Sequence, residues 1–152
     1  MIIMRSIFLK SIILLLISTN LLFAKNFNQS LADYYSKNKG MTETIYTLNR
    51  CAGVLVYTAS MLFKEPDQQN NALTYVQLSS SATEYAARMH AGYSNVSLDK
   101  ALSSMENKMM QLEQLYREDA KEFFLKNGRY FSPIIRSDND FCVQTLKILS
   151  NN

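Results

Sequence analysis

The segment TETIYTLNRCAGVLVYTASMLFK (residues 42–64) decides the fold of this 152-residue chain. From the methionine directly before this segment onward, apolar side chains recur at spacings of three and four residues. This spacing is the pattern of an amphipathic α-helix. The recurring apolar residues are Met41, Ile45, Leu48, Ala52, Leu55, Ala59 and Leu62. Gly53 lies mid-segment, where its lack of a side chain lets another backbone approach closely. The segment therefore predicts a long helix that is closely packed at its middle.

The rest of the chain also favours helices, because four glycines and two prolines leave few turn signals. We predict an all-α fold: an antiparallel bundle of three long helices with a short N-terminal and a short C-terminal helix. The predicted helices span residues 29–38, 42–64, 67–91, 98–127 and 139–149. Gly92 is expected to end the third helix. Residues 129–136 are expected to form a loop, and Ser137 or Asp138 is expected to cap the last helix.

The first 24 residues have the pattern of a secretory signal. Arg5 and Lys10 precede the apolar stretch 11–17, which resumes at 21–23, and Ala24 supplies a small residue for cleavage. We expect residues 1–24 to be removed and residues 25–152 to form one helical domain in the periplasm or outside the cell, assuming bacterial export. The alternative is a retained N-terminal anchor, although the stretch is shorter than the roughly 20 apolar residues of a spanning helix.

Charge composition narrows the choice of partners. Without Arg5 and Lys10, the 16 lysines and arginines fall to 14 against 13 aspartates and glutamates. Because no lysine–arginine cluster matches a phosphate backbone, we expect no nucleic-acid binding. We also expect no membrane attachment after cleavage of the signal, and the oligomeric state stays open.

Cys51 and Cys142 are the only cysteines of the chain. Two thiols in an oxidising compartment usually join, so we predict one disulfide that staples the last helix to the middle of the second. Arg50 precedes Cys51, and both Asp138 and Asp140 lie shortly before Cys142. We therefore expect an ion pair beside the bridge.

Candidate catalytic and binding residues are few. Glu84 and Arg88 have the i,i+4 spacing of a solvated helix pair, and Asp119 lies close to an apolar stripe. His90 is the only histidine, so neither a zinc cluster nor a Ser-His-Asp set is evident. We expect no catalytic residue, no metal and no cofactor.

These observations favour an exported non-enzymatic helical protein that acts as a binding, assembly or chaperone-like accessory, with another envelope protein as its expected partner. One alternative is a small envelope hydrolase that uses helix carboxylates such as Glu84 or Asp119. A second alternative is a haem- or metal-binding bundle that uses His90 as a ligand.

Overall fold

The computed structural model describes residues 27–150, and the predicted export signal at residues 1–24 lies outside them. Five α-helices lie within the described part, and no strand is found there. They are α1 (Leu31–Lys37), α2 (Met41–Leu62), α3 (Gln69–Ser94), α4 (Leu98–Asn127) and α5 (Pro133–Ser150). The predicted all-α bundle with three long helices is therefore confirmed.

Helix α2 is the centre of the bundle, because it contacts each of the other four helices. The predicted apolar stripe of α2 is buried from Ile45 to Ala59, whereas Met41 at its start is exposed. Burial extends beyond the stripe to the opposite side of α2, where Val54 and Tyr57 are also inside. The helix is therefore packed on several faces rather than on one.

Gly53 brings two backbones together, as its place in α2 predicts. A Cβ atom at this position would lie 3.0 Å from the backbone nitrogen of Glu113 and 3.0 Å from the Cβ of Leu112. Both residues belong to α4. The missing side chain thus sets how closely α2 and α4 approach.

Helix α3 differs from its prediction at both ends. Residues Pro66–Gln68 form a 3₁₀ turn, and the α-helix begins at Gln69. The helix passes through Gly92 and ends at Ser94, and Asn95 terminates it in the left-handed region with φ 52°. An asparagine tolerates this conformation better than most residues, so it replaces the predicted glycine stop.

Helix α5 begins six residues earlier than predicted and is 18 residues long. The predicted loop over residues 129–136 is therefore wrong in its second half. Pro133 suits the first position of a helix because its φ is already helical. The hydroxyl of Ser132, rather than Ser137 or Asp138, accepts the backbone N–H of Ile135 at 3.2 Å. Cys142 consequently lies in the middle of α5 rather than in its first turn.

Across residues 27–150, no helix combines the length and apolar character needed to cross a bilayer.

Candidate functional site

The predicted ion pair joins Arg50 of α2 to Asp138 of α5. Arg50 Nη2 lies 2.6 Å from Asp138 Oδ2, and both side chains are fully buried. Asp140, the other candidate partner, is exposed and takes part in no ion pair that the described residues form. The ion pair expected beside the bridge is therefore present and is formed by Asp138, because two residues along a helix place the side chains of Asp138 and Asp140 on different faces.

Further hydrogen bonds satisfy the buried carboxylate of Asp138. The Tyr116 hydroxyl donates to Oδ2 at 2.5 Å, and the backbone N–H of Leu31 donates to Oδ1 at 2.6 Å. Arg50 Nη2 also donates to the backbone carbonyl of Gln29 at 2.8 Å. The ring of Phe27 lies 4.8 Å from the guanidinium carbon. The chain that precedes α1 is thus fastened to α2 and α5 by one buried network.

The disulfide lies beside this network. Cys51 and Cys142 are bonded, with their Cα atoms 5.3 Å apart, so the predicted staple is confirmed. Cys51 follows Arg50 directly, and Cys142 lies four residues, about one helical turn, after Asp138. Covalent bond and ion pair therefore hold the same contact between α2 and α5.

The protonation states of the network suit a structural role. Burial alone would lower the pKa of Arg50, but its interactions with Tyr116 and Asp138 outweigh burial and raise that pKa above its ordinary value. Burial raises the pKa of the Tyr116 hydroxyl well above its ordinary value. Arginine cation and neutral tyrosine therefore persist across the physiological pH range, and neither group is poised to exchange a proton.

The candidate carboxylates Glu84 and Asp119 lie in different places. Glu84 forms the predicted surface pair with Arg88, with 2.6 Å between Oε1 and Nη2. Asp119 accepts a hydrogen bond from the Ser132 hydroxyl, which itself caps α5. Asp119 therefore orients the residue that caps the start of α5.

Glu84 also lines a cleft of about 350 Å³ between α3 and α4, and a second carboxylate lines the same cleft. That carboxylate is Glu106, and the other walls include Leu102 and Met109 of α4. Sequence spacing did not bring Glu84 and Glu106 together, because they belong to different helices.

His90 lines a separate cavity of about 310 Å³ between the start of α2, the end of α3 and the middle of α4. Its Nδ1 lies 3.1 Å from the hydroxyl of Ser94. Asn49 and Lys108 line the same cavity. The sequence analysis singled out neither residue. A lysine on an amphipathic helix is usually solvated, and no pattern around Lys108 or Asn49 indicates a site.

Two adjoining clefts, of about 400 and 230 Å³, lie at the C-terminal end of α2, opposite the end that the His90 cavity adjoins. They share Met61 and Tyr130, and we call their combined lining the basic–aromatic face. Its cations are Lys64, Arg117, Lys121, Arg129 and Arg136, and its apolar residues are Tyr57, Met61, Leu62, Ala120, Phe124, Leu125, Tyr130 and Phe131. One carboxylate, that of Glu65, also lines it.

Within residues 27–150, no group of three or more histidine, cysteine, aspartate or glutamate side chains could hold a metal ion. No protein-family model, curated protein or solved structure matches the chain.

Proposed function

We propose that this protein is an exported, non-enzymatic accessory that binds an acidic, partly apolar segment of another envelope protein. The observation that carries the proposal is the basic–aromatic face, where apolar side chains lie exposed among cations. Leu125 is 76% exposed and Tyr130 is 44% exposed. Exposed apolar groups rimmed by charge are typical of interaction sites on soluble proteins.

The charge of the face defines the partner. Arg117 pairs with Glu113. The other four cations, Lys64, Lys121, Arg129 and Arg136, form no ion pair within the described residues. Excess positive charge steers and orients an acidic partner.

The shape of the face favours a polypeptide. Phe124 and Tyr130 are stacked with their ring centres 4.2 Å apart, and Lys64 Nζ lies 5.9 Å from the centre of the Tyr130 ring. Tyr130 thus separates two clefts that can each take a side chain. Arginine and aromatic groups are also enriched in the cores of protein interfaces. The Arg50 network and the disulfide hold α5 on α2, and a framework formed before binding lowers the entropic cost of binding.

A synthetic peptide tests the proposal. Its sequence alternates aspartate with leucine and phenylalanine, and a matched peptide carries lysine in place of aspartate. We expect fluorescence anisotropy to show saturable binding of the acidic peptide only. Lys121→Glu combined with Arg129→Glu should weaken binding by at least tenfold. Lys100→Glu is the control, because Lys100 lies about 30 Å along α4 from Lys121.

Equal binding of the two peptides, or undiminished binding by the double variant, would contradict the proposal. Binding to vesicles of anionic phospholipid without binding to the acidic peptide would assign the face to lipid instead. If the acidic peptide binds, a photoreactive amino acid in place of Leu125 would crosslink the natural partner in cells, and the Lys121→Glu/Arg129→Glu variant would be the specificity control.

A small envelope hydrolase is the second candidate function, and the cleft shared by Glu84 and Glu106 favours it. Two carboxylates in one cleft can act as general acid and base in glycoside hydrolysis when the separation of their carboxyl groups is suitable. Any hydrolytic activity of this kind should vanish in Glu106→Gln and persist in Glu118→Gln, whose carboxylate lies outside the cleft. Activity that survives Glu106→Gln would remove the candidate.

A further inference from the structure

The cavity that His90 lines gathers polar side chains from three helices at the end of α2 opposite the basic–aromatic face. Asn49 comes from α2, His90 and Ser94 from α3, and Lys108 from α4. Convergence of a few polar groups on a largely apolar cavity is the usual form of a small-molecule site.

Asn49 provides an acceptor without a donor. The residue is only 1% exposed, and its Nδ2 donates to the carbonyl of Ile45 at 3.0 Å and contacts the sulfur of Met105. Its Oδ1 accepts no hydrogen bond from the described residues. Buried polar atoms are normally paired, and Asn49 is one of the residues that line the cavity, so a donor on a ligand is the partner that we assign to this oxygen.

Lys108 provides a cation without an anion. Its side chain is half-buried, and it forms no ion pair with any residue between 27 and 150. The direction of the contact between His90 Nδ1 and the Ser94 hydroxyl depends on the tautomer, and in the tautomer whose Nδ1 accepts, Nε2 carries the proton and is a second donor. Two nitrogen donors, one of them charged, match the oxygens of a carboxylate.

The remaining walls define the body of the ligand. Ile45 and Leu112 are apolar, Tyr46 and Tyr93 are aromatic, and Thr42 is the last lining residue. The volume of about 310 Å³ lies at the lower end of the range of about 300–1,000 Å³ that is usual for ligand pockets. An aromatic ring with two short substituents fits this space.

We propose that this cavity binds a small aromatic or aliphatic monocarboxylate that carries a hydrogen-bond donor at the end remote from the carboxylate. Lys108 and His90 hold the carboxylate, Ile45 and Leu112 cover the apolar body, and Asn49 Oδ1 accepts the donor. The site does not depend on the basic–aromatic face, so either proposal can fail without the other.

Titration of the oxidised protein with 4-hydroxyphenylacetate, followed by amide chemical shifts, tests the site. We expect saturable shifts at the cavity residues. The neutral amide 4-hydroxyphenylacetamide tests the carboxylate, and phenylacetate, which lacks the hydroxyl, tests the donor. Lys108→Met keeps the apolar stem and should raise Kd about tenfold or more. Lys100→Met, an exposed lysine on the same helix, should leave Kd unchanged.

Selective shifts of cavity residues, together with weaker binding of both analogues and of Lys108→Met, would support the assignment. The absence of saturable shifts at millimolar 4-hydroxyphenylacetate would overturn it. An amide that binds as tightly as the acid, or a Lys108→Met variant with unchanged Kd, would overturn the carboxylate class. The spectrum of each variant reports its fold directly, so loss of binding and loss of structure are distinguishable.

Discussion

At the scale of single residues, Arg50 and Asp138 explain how a charged side chain can occupy the centre of the bundle. The 20 residues between Glu43 and Lys64 contain one charged residue, Arg50, and it is fully buried. Proximity to the cysteines narrowed the partner of Arg50 to Asp138 or Asp140. Nothing in the sequence predicted Tyr116 as a member of the network, because a tyrosine in an apolar stripe has the same pattern whether or not its hydroxyl is used.

Breaking one side of the Arg50–Asp138 pair should be costly. Asp138→Asn leaves the guanidinium buried without its counter-charge, which should lower the free energy of unfolding by about 3–5 kcal/mol. Arg50→Met combined with Asp138→Asn should lose less than the two single changes added together. Urea denaturation measures these values. Arg88→Met, which breaks the exposed pair with Glu84, should change stability by only about 0.5 kcal/mol, and an equally small loss in Asp138→Asn would contradict the account.

Tyrosine burial should make the fold sensitive to alkali. Burial raises the pKa of Tyr57 from 10.0 to about 12, so the folded state keeps a proton that the unfolded state releases above pH 10. The contribution of this proton to the free energy of unfolding is fully present below pH 10 and is lost as the pH rises through 12. Tyr57→Phe should therefore show a shallower fall in the free energy of unfolding over this interval. Tyr93→Phe, at an exposed position, should follow the wild type, and identical slopes in all three proteins would contradict the assignment.

At the scale of helices, interiors were predictable and ends were not. Apolar periodicity located all three long helices, because it is repeated over many turns. The start of α5 depended on one hydroxyl, that of Ser132, and on one proline. Asp119 of α4, 13 residues earlier in the chain, accepts the hydrogen bond of the Ser132 hydroxyl, and no local pattern of sequence reveals such a contact.

Two glycines give a matched test of helix packing. Gly53→Ala places a methyl group 3.0 Å from α4, and we expect it to lower the free energy of unfolding by about 1–2 kcal/mol despite the better helix propensity of alanine. Gly92→Ala meets no atom within 4 Å, so it should raise stability by up to about 1 kcal/mol. The Tm values of the two variants should therefore shift in opposite directions from that of the wild type. A Gly53→Ala variant with a raised Tm would show that α2 and α4 do not approach as closely as described.

At the scale of the whole molecule, the disulfide was predictable from the sequence, whereas the basic–aromatic face and the His90 cavity were not. Composition and cysteine placement indicated an all-α chain closed by one disulfide. The basic–aromatic face and the cavity each combine residues from distant segments, so their existence depends on how the helices are arranged in space. No single helix carries either pattern.

Removal of the disulfide should weaken the whole fold. The bridge joins residues 91 positions apart, and constraint of so long a loop contributes roughly 4–5 kcal/mol in the chain-entropy model. Cys51→Ala combined with Cys142→Ala should lower the free energy of unfolding toward that amount, as measured by urea denaturation. Stability unchanged by the double substitution would mean that the Arg50 network alone holds α5 on α2.

The intact mass of the protein recovered from its own cells, alkylated with and without prior reduction, tests most directly the claim that this is an exported, disulfide-stapled bundle. We expect a chain that begins at or near Lys25 and gains two alkyl groups only after reduction. A full-length chain whose two cysteines are alkylated without reduction would contradict it.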